Sequence, residues 1–247
     1  MKGLVFLDFD GVICDSLSET LVSSWRGYYL LNNREEPKAV PVSLRGEFAR
    51  LRPFVRSGED FILIQECIAH GIPIHTQATF DEQLAQRGEQ RVARFREAFY
   101  AARRDLLKND RKFWIDLNRL YPHVEPRLQA WASSHACYIL STKRAEYIIE
   151  ILESRGIHMD SDRVISCGAK QKKSTILRIL DARECDRALF IDDQIDHLAS
   201  EWARDPRIAG CLASWGYVQK EWLDPARGIE VLHNEELAPR VEGWLKP

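Results

Sequence analysis

The 247-residue sequence has no long apolar run, no closely paired cysteines and no strong excess of charge of either sign. Each lack argues against a class of function. Without a span of about twenty apolar residues, nothing in the pattern predicts a membrane helix. The short apolar run near the N-terminus is broken by Asp8 before a signal-peptide core would end. A formal net charge of −2 argues against bulk electrostatic binding to nucleic acid or to acidic membranes. The six cysteines (Cys14, Cys67, Cys137, Cys167, Cys185, Cys211) form no C-x-x-C pair, so reduced, individually buried thiols are expected rather than disulfides or a thiolate metal site. The seven histidines show no ligand spacing, and repeats and low-complexity tracts are absent. With 45% hydrophobic and 29% charged residues, the chain reads as an ordinary globular protein, expected to be soluble and cytoplasmic.

What is present is a set of short apolar runs: Leu4–Leu7, Ala136–Leu140, Val164–Cys167, Ala188–Ile191, Ile208–Ala213 and Ile229–Leu232. From Ala136 onward they alternate with segments of helical spacing, among them Tyr147–Leu152 and Ile176–Leu180. Strand–helix alternation of this kind predicts parallel βαβ units and an α/β fold with a doubly wound parallel-sheet (Rossmann-like) core. Residues 17–133 differ, because they lack strand runs and carry repeated helix signals. Ser16 with Glu19 fits a capping box for a first helix to about Leu31. Ser57 precedes a second helix, Glu59 to about His70. Thr79 with Glu82 would open a third, in which Val92, Phe95, Phe99 and Ala102 recur at steps of three and four. Pro37, Pro41, Pro53, Pro73, Pro122 and Pro126 punctuate the breaks. The predicted organisation is therefore a core of residues 1–16 and 134–247 with an inserted α-helical domain at 17–133.

Ligands of parallel α/β sheets bind beyond the carboxyl ends of the strands, so the residues that end each predicted strand are the candidates. The first strand ends in Asp8-Phe9-Asp10-Gly11 and the second in Ser141-Thr142-Lys143. The fourth ends in Asp192-Asp193, with Asp196 a turn later, and Lys170-Gln171-Lys172-Lys173 precedes it at a helix start. Buried acids in such number need a cation, and oxygen ligands with retained waters suit Mg²⁺. Beside a metal and a lysine, a carboxylate stays ionised, as a nucleophile must.

These four motifs, in this order, resemble the haloacid dehalogenase superfamily of phosphatases. Gly210–Tyr217 (GCLASWGY) further resembles the end of the fifth strand in its phosphoglycolate-phosphatase-like members, and the helical section stands where that superfamily carries its cap. The resemblance implies that Asp8 attacks phosphorus to give an aspartyl-phosphate and that Asp10 acts as general acid and base. It implies Mg²⁺ held by Asp8, the carbonyl of Asp10 and Asp192, supported by Asp193 and Asp196. Gly11, Ser141 or Thr142, and a lysine would bind the phosphate. For that lysine the apolar spacing after Lys173 favours Lys173, with Lys172 and Lys170 as alternatives. Asp10 itself favours phosphoryl transfer over dehalogenation, since a halide leaves without a proton.

Blander readings stand beside these. Asp193 and Asp196 also suit a helix start, and Asp15 suits the departure into the helical section. The arginines Arg87, Arg91, Arg94, Arg96, Arg103 and Arg104 read either as a solvated helix face or as a source of one or two contacts to an anionic substrate. Trp25, Tyr28, Tyr29, Phe95, Phe99, Trp114 and Tyr121 read as core of the helical section. The expected partner is a small phosphorylated metabolite, with neither nucleic acid nor membrane. A phosphomutase shares every core motif, and a non-catalytic binding module on the same fold would have no chemical need for Asp8, Asp10 and Asp192 together.

Overall fold

The computed structural model describes residues 3–32, 39–200 and 203–246; Pro37, one of the predicted break points, lies outside them. From the N-terminus, β1 (Gly3–Leu7) and the short β2 (Cys14–Asp15) lead into α1 (Leu17–Leu31), α2 (Val42–Leu51), α3 (Gly58–Ala69), α4 (Gln77–Asn109) and α5 (Arg111–Asp116). The chain then returns through β3 (Arg119–Leu120) and α6 (Glu125–Ser133) to β4 (Cys137–Ser141), α7 (Ala145–Ser154) and β5 (Val164–Ser166). It ends with α8 (Lys172–Ala182), β6 (Arg187–Asp192), α9 (Asp196–Ala199), β7 (Ile208–Ala213), β8 (Glu230–Leu232) and α10 (Asn234–Leu245). All six strands predicted from the apolar runs are present. Among the described residues no helix is long and apolar enough to cross a membrane.

Two compact units result, Met1–Asp15 with Arg119–Pro247, and Ser16–Asn118. In the first, a six-stranded sheet has the order β5-β4-β1-β6-β7-β8, with every neighbouring pair parallel. The chain winds outward from β1 through β4 to β5, then crosses back to β6 and winds the other way. The reversal falls between β1 and β6, whose Leu7 and Ile191 are in register. Such a switch point opens a crevice at the strand ends, and Asp8 and Asp192 are the next residue on each strand. Leu4, Phe6, Tyr138, Leu140, Ile176, Leu180, Phe190 and Leu212 form one continuous core.

The second unit is helical and has its own core, in which Phe48, Phe61, Ile62, Phe95 and Phe99 are buried. The three- and four-residue steps along α4 do mark its buried side, and Phe61 stacks on Phe99 with ring centroids 5.0 Å apart. Three expectations change here. The Ser16–Glu19 capping box does not form, because Glu19 turns into the interior, where Arg103 Nε and Nη2, Ser23 Oγ and Trp114 Nε1 all donate to it. The third helix starts at Gln77 rather than beyond Thr79, since Thr76 is its N-cap and accepts from the Thr79 N–H. The arginine series is neither simply solvated nor uncommitted: Arg87 and Arg91 bind Glu66, Arg96 binds Glu59 and Arg103 binds Glu19, which leaves Arg94 and Arg104 exposed.

The helical unit also closes at Asn118, earlier than the expected residue 133. Arg119–Leu120 pairs antiparallel with Cys14–Asp15, and α6 packs on β4, so residues 119–133 belong with the sheet. Tyr121 goes with them: its N–H donates to the Ile13 carbonyl, which ties the returning chain to the departing one. The cysteines are free thiols; Cys14, Cys67, Cys137 and Cys211 are buried as expected, Cys167 and Cys185 are only half-buried, and burial pushes Cys137 and Cys211 up to about 12.

Candidate active site

β1 delivers Asp8 because Val5, Phe6 and Leu7 are fully committed to the sheet interior, so the first polar residue emerges at the strand end. The Asp8 N–H still bonds the Ile191 carbonyl at 2.9 Å, which holds it against β6. Asp192, the last residue of β6, is 0% exposed. Lys172, the first residue of α8, reaches between the two acids. Its Nζ donates to Asp192 Oδ2 at 2.7 Å and stands 3.3 Å from Asp8 Oδ1. That Asp8 oxygen is buried and accepts no hydrogen bond among the described residues. His197, on α9, brings Nδ1 to 2.9 Å from Asp192 Oδ2, and the Gln194 N–H donates to Asp192 Oδ1 at 2.9 Å.

The charge balance follows from this geometry. Burial pushes the Asp8 carboxyl above its ordinary range; Lys172 pulls it back, Asp192 pushes it up, and His197 and a hydrogen bond from Ser141 do not restore it. Asp192 goes the other way, because His197 and Lys172 outweigh its burial. The ammonium of Lys172 is held protonated against its own burial by the same two carboxylates. One lysine therefore serves mainly the nearer acid, and Lys172 by itself does not bring the Asp8 carboxyl below its ordinary range. Two buried carboxylates facing one ammonium, with one oxygen lacking a donor, suit a further cation. Asp8 and Asp192 offer carboxylate oxygens within 4.8 Å of each other, with His197 beside them, so the acids present fit a divalent metal.

Around this centre the loops are tightly constrained. Gly11 has φ +86°, and a Cβ there would stand 1.9 Å from Asp193 Oδ2. Gly216 is equally confined, since its Cβ would meet the Gly11 carbonyl oxygen at 2.5 Å. Asp193 fills the space between these glycines and accepts the Tyr217 N–H at 2.8 Å. Trp215 Nε1 donates to the Val12 carbonyl at 3.1 Å, and the Tyr217 hydroxyl donates to Asp15 at 2.8 Å. Lys143, with its side chain 1% exposed, places Nζ 3.0 Å from Asp10 Oδ1.

No family model and no curated protein sequence matches the chain. Solved structures do. A haloacid dehalogenase-like family hydrolase from Streptococcus pneumoniae is 18% identical, with 97% of this chain and 98% of that one covered at a TM-score of 0.57. The chain has the haloacid dehalogenase fold. A predicted phosphatase from Clostridium acetobutylicum matches at 14% identity over 98% of each chain, TM-score 0.58. A predicted phosphoglycolate phosphatase from Haemophilus somnus matches at 15% over 96% of each, TM-score 0.59.

Within the haloacid dehalogenase fold, Asp8, Asp192 and Ser141 stand at the ends of adjoining strands, with Asp10 and Gly11 in the loop after β1. Ser141 is buried and Thr142 beside it is half-buried. Asp193 braces the loops, and Asp196 is half-buried at the start of α9, outside the Asp8–Asp192–His197 group. Lys173 is a correction: its Nζ lies 3.3 Å from the Arg204 carbonyl, and Lys172 takes the place at the acids. The sequence held no signal for this, because Lys172 leads to Ile176 and Ile179, and Lys173 to Leu177 and Leu180, at the same four- and seven-residue steps. Lys143 stood among the strand-end candidates without a role, and His197 was missed. A lysine two residues beyond a strand-end serine, and a histidine far from any other, carry no periodic signal.

Proposed function

We propose that the chain is a Mg²⁺-dependent phosphatase that hydrolyses a small phosphorylated metabolite through an aspartyl-phosphate. The observation that carries this reading is Asp8: a strand-end carboxylate at the sheet's switch point, with a buried oxygen that lacks a donor and Lys172 3.3 Å away. In the first step an Asp8 oxygen bonds to phosphorus as the phosphorus–ester bond breaks, and Asp10 gives its proton to the leaving oxygen. Water then attacks phosphorus, Asp10 takes the water's proton, and Asp8 is released with inorganic phosphate. Ser141 and Lys172 stabilise charge on the phosphoryl oxygens, whereas the Gly11 N–H is taken by the Cys14 carbonyl. Lys143 holds the Asp10 carboxyl in place. Asp8, Asp192 and the carbonyl of Asp10 would hold Mg²⁺, with Asp193 and Asp196 in support. The cation supplies positive charge to the phosphoryl group and to the Asp8–Asp192 pair.

A phosphate-release assay over a panel of small phosphate monoesters, with Mg²⁺ and with chelator, tests the reading. Release by the wild type should stop on chelation and in Asp8→Asn. Equal release by wild type and Asp8→Asn on every ester would sink it, and full activity in chelator would remove the metal from it.

A further inference from the structure

His197 is the residue at the strand ends that no motif accounts for. It is 5% exposed, and its Nδ1 meets Asp192 Oδ2, the oxygen that Lys172 Nζ also bonds. The other Asp192 oxygen accepts the Gln194 N–H. The donors come from α8, α9 and the turn between β6 and α9. Without His197, the Gln194 N–H would hold Oδ1 and only an ammonium on a flexible stem would hold Oδ2, which could then shift with the lysine. A second donor on Oδ2, carried by a buried planar ring, pins that oxygen.

We infer that His197 is a positioning residue, which fixes the Asp192 carboxylate so that it and Asp8 offer oxygens to one divalent cation. The inference rests on the cation-dependent reading above and extends it to a residue outside the ligand set. His197 acts through Asp192 and contacts its carboxylate by a hydrogen bond, as outer partners of metal ligands do. Asp196, one residue earlier, is the acid that the motif spacing nominates; the buried contact with Asp192 belongs to its neighbour instead.

The test is Mn²⁺ binding alone, without substrate, to the full chain by calorimetry and electron paramagnetic resonance. Wild type, His197→Ala, His197→Asn and His197→Phe are compared, with circular dichroism as the check on folding. His197→Ala should bind Mn²⁺ about ten- to a hundredfold more weakly. His197→Asn, whose amide N–H can donate to Asp192, should recover most of the loss. Should His197→Ala not fold, the Asn and Phe variants decide: Asn should stay near wild type, and Phe, which fills the space without a donor, should bind weakly. Equal affinity in wild type and the donorless variants overturns the inference and leaves the phosphatase reading standing. A directly bound nitrogen in the wild-type Mn²⁺ spectrum also overturns it, because His197 would then be a ligand. Absence of Mn²⁺ binding by the wild type removes both this inference and the cation from the proposed function.

Discussion

Lys172 and Lys173 are adjacent in sequence, but only one of them neutralises buried acids. Lys172→Met leaves Asp8 and Asp192 facing each other with no ammonium, and removing one partner of a buried pair costs about 3–5 kcal/mol. Among the described residues, Lys173→Met removes an ammonium that approaches only a backbone carbonyl, so its cost should stay within about 0.5 kcal/mol. Urea denaturation of both variants, paired with the phosphate-release assay, checks this: Lys172→Met should be destabilised and inactive, and Lys173→Met close to wild type in both. A reversed order would return Lys173 to the site. Gly11 makes a second claim at this scale. Gly11→Ala adds a methyl at 1.9 Å from Asp193 Oδ2, on backbone at φ +86°, so it must displace either Asp193 or the loop that carries Asp10. The expected outcome is loss of phosphate release with smaller loss of thermal stability, read from melting curves and turnover on the same samples.

Helix packing in the second unit depends on one close approach and one buried ion pair. α1 and α4 meet at Gly27, where a Cβ would lie 2.9 Å from the Ala98 carbonyl oxygen and 2.9 Å from Ile62 Cδ1. Gly27→Ala would gain about 1 kcal/mol of helix propensity if the position were open. Overpacking against backbone costs about 1–3 kcal/mol, so the net change should be destabilising. Alongside, Glu19 on α1 is 0% exposed and accepts both Arg103 nitrogens from α4 together with Ser23 and Trp114. Arg103 also stacks on Phe99, 4.4 Å from the ring centroid. Arg103→Met should cost about 3–5 kcal/mol because Glu19 stays buried without its guanidinium. The double variant Glu19→Gln with Arg103→Met should recover part of that loss in urea titrations. Strict additivity of the two single effects would mean the pair does not couple.

For the whole molecule, the dependence of stability on pH combines two opposite contributions. Asp60, at the start of α3, is buried and its carboxyl is pushed up to about 7 by burial, although the Arg56 and Ser57 N–H groups donate to it. A folded pKa above the ordinary 3.8 means that Asp60 favours folding fully at low pH and that the contribution is lost as pH rises through about 7. The buried Glu59 and Glu66 and the exposed Glu230 are held low by their arginines, so their contributions are present above the ordinary 4.5 and are lost as pH falls through their folded values. Replacing Asp60 separates the two. Relative to wild type, Asp60→Asn should gain stability as pH rises from about 4 to about 8, by at most on the order of 4 kcal/mol. Denaturation midpoints across that range measure the difference, and parallel curves would show that Asp60 does not titrate on folding.

Much of this was legible before any coordinates. Apolar runs of strand length, alternating with 3.6-residue stripes, are local patterns. They gave the strands, the parallel α/β class and the acids that terminate β1 and β6, because burying a strand pushes its first polar residue to the strand's end. Local pattern does not say which neighbour a polar side chain meets once the chain has packed. Glu19 satisfies a capping pattern within its own turn, yet it is drawn inward by Arg103, 84 residues away. Residues 119–133 read as more of the helical insertion until Arg119–Leu120 paired with Cys14–Asp15. The choice of Lys172 over Lys173, the partnership of Lys143 with Asp10, and the place of His197 beside Asp192 were settled by tertiary structure. Each depends on how a helix is rotated against the sheet, and one residue along a helix turns the side chain by about 100°. The sequence by itself determined where charge would collect; only the folded chain decided which groups balance it.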